Sequence, residues 1–444
     1  IAVISPYKHP YETFKQRCEN SHIDKDTRLR SDAGATPDNI WGVPSYAVRE
    51  SWSNLKRLKL GGFFSPLFKV FTESYISEPF TPKSGQVFES ITHEAKRIGW
   101  NSMLFEGMAQ TIHPLENGGY EIQVLQNKRK FKIQCEYLHL GIGYSKLNKT
   151  DEQLSFEKHH PNLDIYKNVY EDHSHILNHL KHNGGTIIIR GRGIAASMLL
   201  QKLYELCMQR DDIRILHLLR HHTHPSMINN KERSLEHEWE YQHYNFPKSC
   251  FGGEYKINLE GMPGHESYIP ILGGTTSADR TSWKHIVEEG LDKGFYSYVV
   301  GSVQSFSYKN QRVSIEITQD NDISCMVSAD FMIDATGLSR NLRTNELFEE
   351  LINTNHVSLT RFDTLQTNSS FCVLNPNGKD INLFASGVVA LGNTFAPVDS
   401  FSGMTYAGLK ITEFLCTKLE RPHNLSGLGS LLEWSNWILH KPPQ

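Results

Sequence analysis

The sequence predicts an α/β protein of two related domains, each a parallel sheet with a three-stranded β-meander, one domain inserted in the other. Three observations lead there. A glycine-rich turn sits between a buried strand and an amphipathic helix, a set of strands repeats within the chain, and a late strand and helix follow the second copy.

The turn comes first because it is the most specific signal. Thr186 to Ile189 are four β-branched residues in a row after Gly184-Gly185, the pattern of a strand buried on both faces. Gly191-x-Gly193-x-x-Ala196 follows, and Met198, Leu199, Leu203, Leu206 and Cys207 then recur at helical spacing. Gly191 permits a tight bend, Gly193 lets the backbone approach a pyrophosphate, and Ala196 keeps helix and strand close. The first N–H groups of the helix face the phosphates. A second strand, Ile213–Leu219, closes a Rossmann-like unit. The arrangement predicts a dinucleotide site, the alternative being an α/β turn that binds nothing. Arg220 ends the second strand. An acidic residue there would take the ribose hydroxyls of NAD, whereas arginine suits a 2′-phosphate and favours NADP(H). The alternative is a surface arginine.

Composition bounds the class. At 444 residues the chain is too long for one ordinary core. Its 39% hydrophobic and 11% aromatic residues are those of a folded soluble protein, and a net charge of −3 argues against nucleic acid as the main partner. No apolar run approaches the ~18 residues needed to cross a bilayer, so no membrane partner is expected. The seven cysteines include no CxxC, which argues against a disulfide framework, a zinc site and a dithiol centre. The first residues show no basic segment or cleavage site of a signal peptide, and the expected compartment is the cytoplasm.

Along the chain, Ile1–Ser5 reads as a buried strand. It looks like the second strand of a Rossmann unit, and Tyr7-Lys8-His9-Pro10 cannot serve as a phosphate turn. The expectation is a fragment without its first strand, turn and helix; the alternative is a complete protein whose first strand is Ile1–Ile4. Trp41 and Trp52 flank Val43-Pro44-Ser45-Tyr46 and either line a pocket or pack. Thr81-Pro82 leads towards a helix through Ile91, Ala95 and Ile98.

The repeat follows. Gly107-Met108-Ala109-Gln110 opens strands at Tyr120–Leu125, Lys130–Gln134 and Tyr137–Leu140, ending at Gly143. Gly301-Ser302-Val303-Gln304 opens strands at Val313–Thr318, Ser324–Val327 and Phe331–Asp334, ending at Gly337. Between about 225 and 294 lies an aromatic insertion with Trp239, Tyr241, Tyr244, Phe246, Phe251 and Trp283, either a lid or structural packing. Ile381–Ala385 is a further strand reaching Ser386-Gly387, and Asp399-Ser400-Phe401-Ser402-Gly403 leads into a helix over Met404–Lys418. A helix start beside glycine suits an electron-rich carbonyl edge or a pyrophosphate.

This order resembles the flavoproteins with two dinucleotide-binding domains, and among them the N-hydroxylating and Baeyer–Villiger-type flavin monooxygenases. The resemblance implies FAD on residues 1–150 and 341–444, and NADPH on the inserted 151–340. Gly191, Gly193, Ala196 and Arg220 would hold NADPH. Gly403 would lie near the flavin pyrimidine with Asp399 as a neighbour, and Gly143 and Gly337 would be close-approach points at the domain crossover. Three departures stand out. The FAD phosphate turn is absent, Ser386-Gly387-Val388 lacks the aspartate expected for the ribityl chain, and Phe156-Glu157-Lys158-His159-His160 does not fit the Phe-x-Gly-x-x-x-His fingerprint.

The leading expectation is therefore an NADPH- and FAD-dependent monooxygenase acting on a small molecule. An FAD-linked reductase without oxygen activation and a non-catalytic dinucleotide sensor or scaffold are the alternatives. His285 is a candidate base or a surface histidine. His221, His222 and His224 form a cationic rim for the NADP phosphate rather than a metal site, because adjacent histidines rarely reach one ion.

Overall fold

The computed structural model describes residues 1–29, 46–72, 80, 82–144, 146–191, 193–220, 281–319, 323–393, 398–399, 401–421 and 427–443. It is a mixed α/β protein with several sheets. Residues 221–280, which include His221, His222, His224 and most of the aromatic insertion, lie outside this set, as does Trp41. The side chain of Trp283 is also outside it.

The largest sheet has five strands, ordered Tyr296–Val300, Ile213–Leu219, Gly185–Arg190, Phe331–Asp334 and Tyr166–Asn168, and every pairing is parallel. Alternation along its central strand explains the β-branched run. Ile187 and Ile189 pack with helices Ser174–Asn183 and Ile194–Cys207 and with Ile286 of helix Thr281–Lys293. Ile188 points the other way, onto Val313, Ile315 and Ile317 of a meander and Phe156 of helix Asp151–His159. All three isoleucines are fully buried, each adding roughly 1.5–3 kcal/mol over an exposed position.

Both predicted meanders are present, with one shift of membership. Each contains the strand that begins at its Gly-x-x-Gln: Met108–Pro114 with Tyr120–Gln126 and Arg129–Cys135, and Ser302–Lys309 with Arg312–Thr318 and Ser324–Ala329. The strands that end at glycine belong elsewhere. Phe331–Asp334 joins the five-stranded sheet, and Leu138–Leu140 pairs parallel with Asp380–Ala385. The expected strand at the start runs over Val3–Ser5, pairs parallel with Leu104–Glu106, and is only half-buried. The late helix begins at Phe401, not Met404. Among the described residues no helix is long and apolar enough to cross a membrane.

Helix Glu12–Asn20 clamps the chain crossings. Arg17 donates to the Tyr144 carbonyl at 2.6 Å, Asn20 to that of Tyr170 at 2.8 Å, and Ser21 to that of Val169 at 3.0 Å. Next to these bonds the rings of His22 and His173 meet edge to face, 4.6 Å between centroids. His173 Nδ1 donates to the Glu171 carbonyl at 2.8 Å, and the Nε2 atoms of both rings are buried without a hydrogen-bond partner. Desolvation lowers both pKa values, that of fully buried His173 to about 4, with Asp172 opposing and the charges of His175 and Lys202 assisting.

A depressed histidine pKa makes stability fall as the pH is lowered. Near pH 7 neither folded nor unfolded His173 is protonated. Between about 6.5 and 4 only the unfolded chain takes up the proton, and below that range the contribution stays constant. From pH 7 to pH 5 His173 should remove about 2 kcal/mol of stability. Asp334 and Asp399, whose carboxyls are raised, act in the opposite sense, so the comparison must be made against a variant. In urea unfolding, His173→Gln should lose about 2 kcal/mol less than the parent over this interval; equal losses would show that the ring is not held neutral.

Candidate functional site

The turn after strand Gly185–Arg190 is held from several directions. Gly191 has φ +120°, and a Cβ there would lie 2.5 Å from the Ala335 carbonyl oxygen. Only glycine fits such a bend. Its N–H donates to the Leu218 carbonyl at 3.1 Å, while its own carbonyl meets Nε2 of buried His217. His217 Nδ1 lies 2.9 Å from the Tyr296 hydroxyl. A carbonyl can only accept, so in the neutral ring Nε2 carries the proton and Tyr296 donates to Nδ1.

Gly193 is the N-cap of helix Ile194–Cys207, with φ −76°, ψ −173° and no side-chain cap. Any residue can adopt that extended conformation. What glycine contributes is the absence of a side chain over N–H groups that have no acceptor within the helix. Ala196 is fully buried in the cluster that holds Ile187 and Ile189, the close helix–strand packing expected of it. Arg220 follows the adjacent strand and is exposed.

A charged cluster beside this turn was not anticipated as part of a site. The Arg190 guanidinium lies 3.5 Å from Glu152 and 3.7 Å from Asp334. Asp334 is fully buried and accepts from Tyr166 at 3.1 Å, the Thr336 N–H at 3.2 Å and Thr150 at 3.5 Å. Burial pushes its carboxyl above the ordinary range, while Arg190 and these hydrogen bonds pull it down. The signal in the sequence was slight: an arginine directly before Gly191 and an aspartate directly before Ala335-Thr336-Gly337.

The two glycines that close the repeats flank one short antiparallel pairing. Gly143 has φ +64° and Gly337 φ +100°, and each has open space where a Cβ would project. Just beyond them Leu147 pairs with Leu338, and Lys146 with Ser339. Asn148 ties the crossing further: its N–H reaches the Gly337 carbonyl at 3.4 Å, and its carbonyl accepts from Thr336 Oγ1 at 3.3 Å.

Tyr144 links this crossing to Asp399, donating to its carboxylate at 2.9 Å. Asp399 is open to water, yet desolvation by the protein around it raises its carboxyl pKa against the Tyr144 hydrogen bond. Gly403 is buried in the first turn of helix Phe401–Lys418. Where the resemblance leads one to expect an aspartate, the Ser386 hydroxyl lies 2.8 Å from Nε2 of His139, whose pKa burial lowers. The pair is therefore neutral at pH 7.

Other candidates fall elsewhere. His285 is exposed on helix Thr281–Lys293 and contacts the Tyr204 ring, centroids 5.9 Å apart. Trp52 is exposed on helix Tyr46–Lys56, and Phe156 is a core residue. No group of three or more metal-ligating side chains converges among the described residues.

Comparison with solved structures finds chains of similar fold, including the following three. The cadaverine monooxygenase DfoA of the desferrioxamine pathway of Erwinia amylovora, solved with FAD, superposes with TM-score 0.59 at 12% identity, covering 93% of this chain and 88% of that one. L-lysine 6-monooxygenase of Pseudomonas syringae gives 0.58 at 13%, covering 95% and 91%. The ornithine N-hydroxylase of Kutzneria sp. 744, with reduced FAD, NADP+ and L-ornithine, gives 0.57 at 10%, covering 90% of each. The chain shares the fold of these flavin monooxygenases. No protein-family model and no curated protein matches the sequence.

The crowding at the turn separates two glycines by experiment. Gly191→Ala must displace the Ala335 carbonyl as well as adopt a positive φ, and should cost more than about 2 kcal/mol. Gly337→Ala meets open space and should cost about 1–2 kcal/mol from the dihedral alone. Urea unfolding of both variants measures the difference, and equal costs would contradict the close contact at Ala335.

Proposed function

We propose that this chain is an NADPH- and FAD-dependent monooxygenase acting on a small molecule. Residues 1–150 and 341–444 would form the FAD domain, and residues 151–340 an NADPH domain inserted in it. The observation that carries the proposal is the braced Gly191 turn with its uncapped helix start, within a fold shared with structures solved with FAD and NADP+. When bound, NADPH and FAD supply the hydride and oxygen chemistry.

The residues present suit the NADPH half directly. N–H groups from Ile194 onward would hold the pyrophosphate, and exposed Arg220 the 2′-phosphate. Among the described residues the ion pairs of Arg190 are long, so it can exchange Glu152 for an anion at the turn. For the flavin, the bare positions at Gly143 and Gly337 leave space for close approach. The start of helix Phe401–Lys418 with Gly403 would face the ring's carbonyl edge, with Asp399 held by Tyr144 alongside. Ser386 and His139 would offer hydroxyl and imidazole groups to the ribityl chain in place of a carboxylate.

The neighbouring proteins act on cadaverine, lysine and ornithine, which makes a primary amine the first substrate class to test. A second reading, an FAD-linked reductase that does not activate oxygen, is favoured by the neutral Ser386–His139 pair. Oxygen uptake during NADPH oxidation divides the two, since the monooxygenase consumes oxygen in step with hydroxylated amine and the reductase consumes none when given another acceptor.

Arg220 supplies a sharper test of the coenzyme assignment. Arg220→Ala should weaken NADPH binding roughly tenfold, the value of one charged hydrogen-bonded contact, while leaving NADH binding unchanged. Titration of both coenzymes against parent and variant checks this. A parent protein that binds NADH as tightly as NADPH would remove the role given to Arg220.

A further inference from the structure

We propose that the helical hairpin of residues 46–72 is a docking element for an anionic lipid surface. Helix Tyr46–Lys56 turns Tyr46, Ala47 and Ser51 inward, where Tyr46 and Ala47 pack with Leu29, Phe80 and Val87. Its opposite side presents Trp52 and Lys56, spaced one turn apart, with the Lys56 ammonium 5.8 Å from the Trp52 ring centre. Helix Leu60–Thr72 follows after a short connection, packs against it where Asn54 donates to the Gly62 carbonyl at 2.7 Å, and buries Pro66. It sends Leu60, Phe64 and Phe68 outward at four-residue intervals, a single stripe about two turns long.

That stripe is the reverse of an ordinary surface helix, whose outward face is polar. Leu60 and Phe64 are each 65% exposed, and Leu58 at the hairpin turn is 87% exposed. An exposed apolar surface of this kind marks an interaction site. Charge indicates the partner. From Ser51 to Thr72 the sequence carries Lys56, Arg57, Lys59 and Lys69 and no aspartate or glutamate. Lys56, Arg57 and Lys59 surround Leu58 at the turn and are exposed. Tryptophan, phenylalanine and leucine beside lysine and arginine is the chemistry of an element that lies in the headgroup layer, its apolar face in the acyl boundary and its cations on anionic lipid.

A second copy of the chain is the competing occupant, and the same charges disfavour it. A two-fold interface sets a patch against itself, which would bring the cations of both turns together with no acid between Ser51 and Thr72 of either copy to neutralise them, Glu50 already being paired with Arg28. Lying on a bilayer is also compatible with the lack of a spanning helix among the described residues. The element is far too short to cross, and the absence of a span had been the ground for expecting no membrane partner.

The test is sedimentation of the full chain with vesicles of phosphatidylcholine alone and of equimolar phosphatidylcholine and phosphatidylglycerol. Binding is expected only to the second and should fall as sodium chloride is raised, because exposed charges are screened. R57E/K59E should weaken it at least roughly tenfold, and F64S/F68S should abolish it, both with an unchanged thermal midpoint because these side chains are exposed. The salt titration uses the parent chain and so stands even if a variant misfolds. Equal binding to neutral vesicles, no binding to either, or a concentration-dependent dimer that F64S/F68S dissociates without any vesicle binding would each overturn the proposal.

Discussion

The chain leaves one sheet after Leu140 and returns to it where Leu383 pairs with Leu138. Everything between must begin and end at one place. That place is the crossing where Lys146-Leu147 pairs with Leu338-Ser339 and Asn148 bonds to both Thr336 and Gly337. Parallel pairing demands such long connections, and the two crossings share one short antiparallel latch. Gly143 and Gly337 flank it because their positive φ values turn the chain there, each with open space where a side chain would project. Helix Glu12–Asn20 then fixes the latch from outside through Arg17 and Tyr144.

The candidate chemistry gathers around this constraint. The Gly191 turn touches Ala335, one strand end away from Gly337, so this turn and the crossing are positioned by the same backbone. Asp334 and Asp399 are both desolvated and both steadied by a tyrosine hydroxyl, from Tyr166 and Tyr144 respectively. Burying carboxyls is costly unless hydrogen bonds reach them.

Much of this was legible in the sequence because hydrophobic period and glycine position are local signals. The β-branched Thr186–Ile189 run showed the central strand, and the spacing of Gly191, Gly193 and Ala196 showed the turn. The repeated strands showed both meanders. The assignment of Leu138–Leu140 and Phe331–Asp334 to other sheets was not readable, since an apolar strand carries no mark of its partner. The pairs Tyr144–Asp399, His139–Ser386 and Arg190–Asp334 were hidden for the same reason: each joins residues far apart in sequence. Helix Phe401–Lys418 starts ahead of the expected Met404 because Gly403, a poor helix former, reads as a turn residue in the sequence.

The proposed function requires that this chain bind both FAD and NADPH and pass hydride between them. The most direct measurement is the visible spectrum of the purified full chain after exposure to FAD, recorded without oxygen before and after NADPH is added. The account predicts a yellow protein whose flavin absorbance bleaches with NADPH, and much less readily with NADH. A protein that takes up no FAD, or whose bound flavin keeps its colour in excess NADPH, would contradict it.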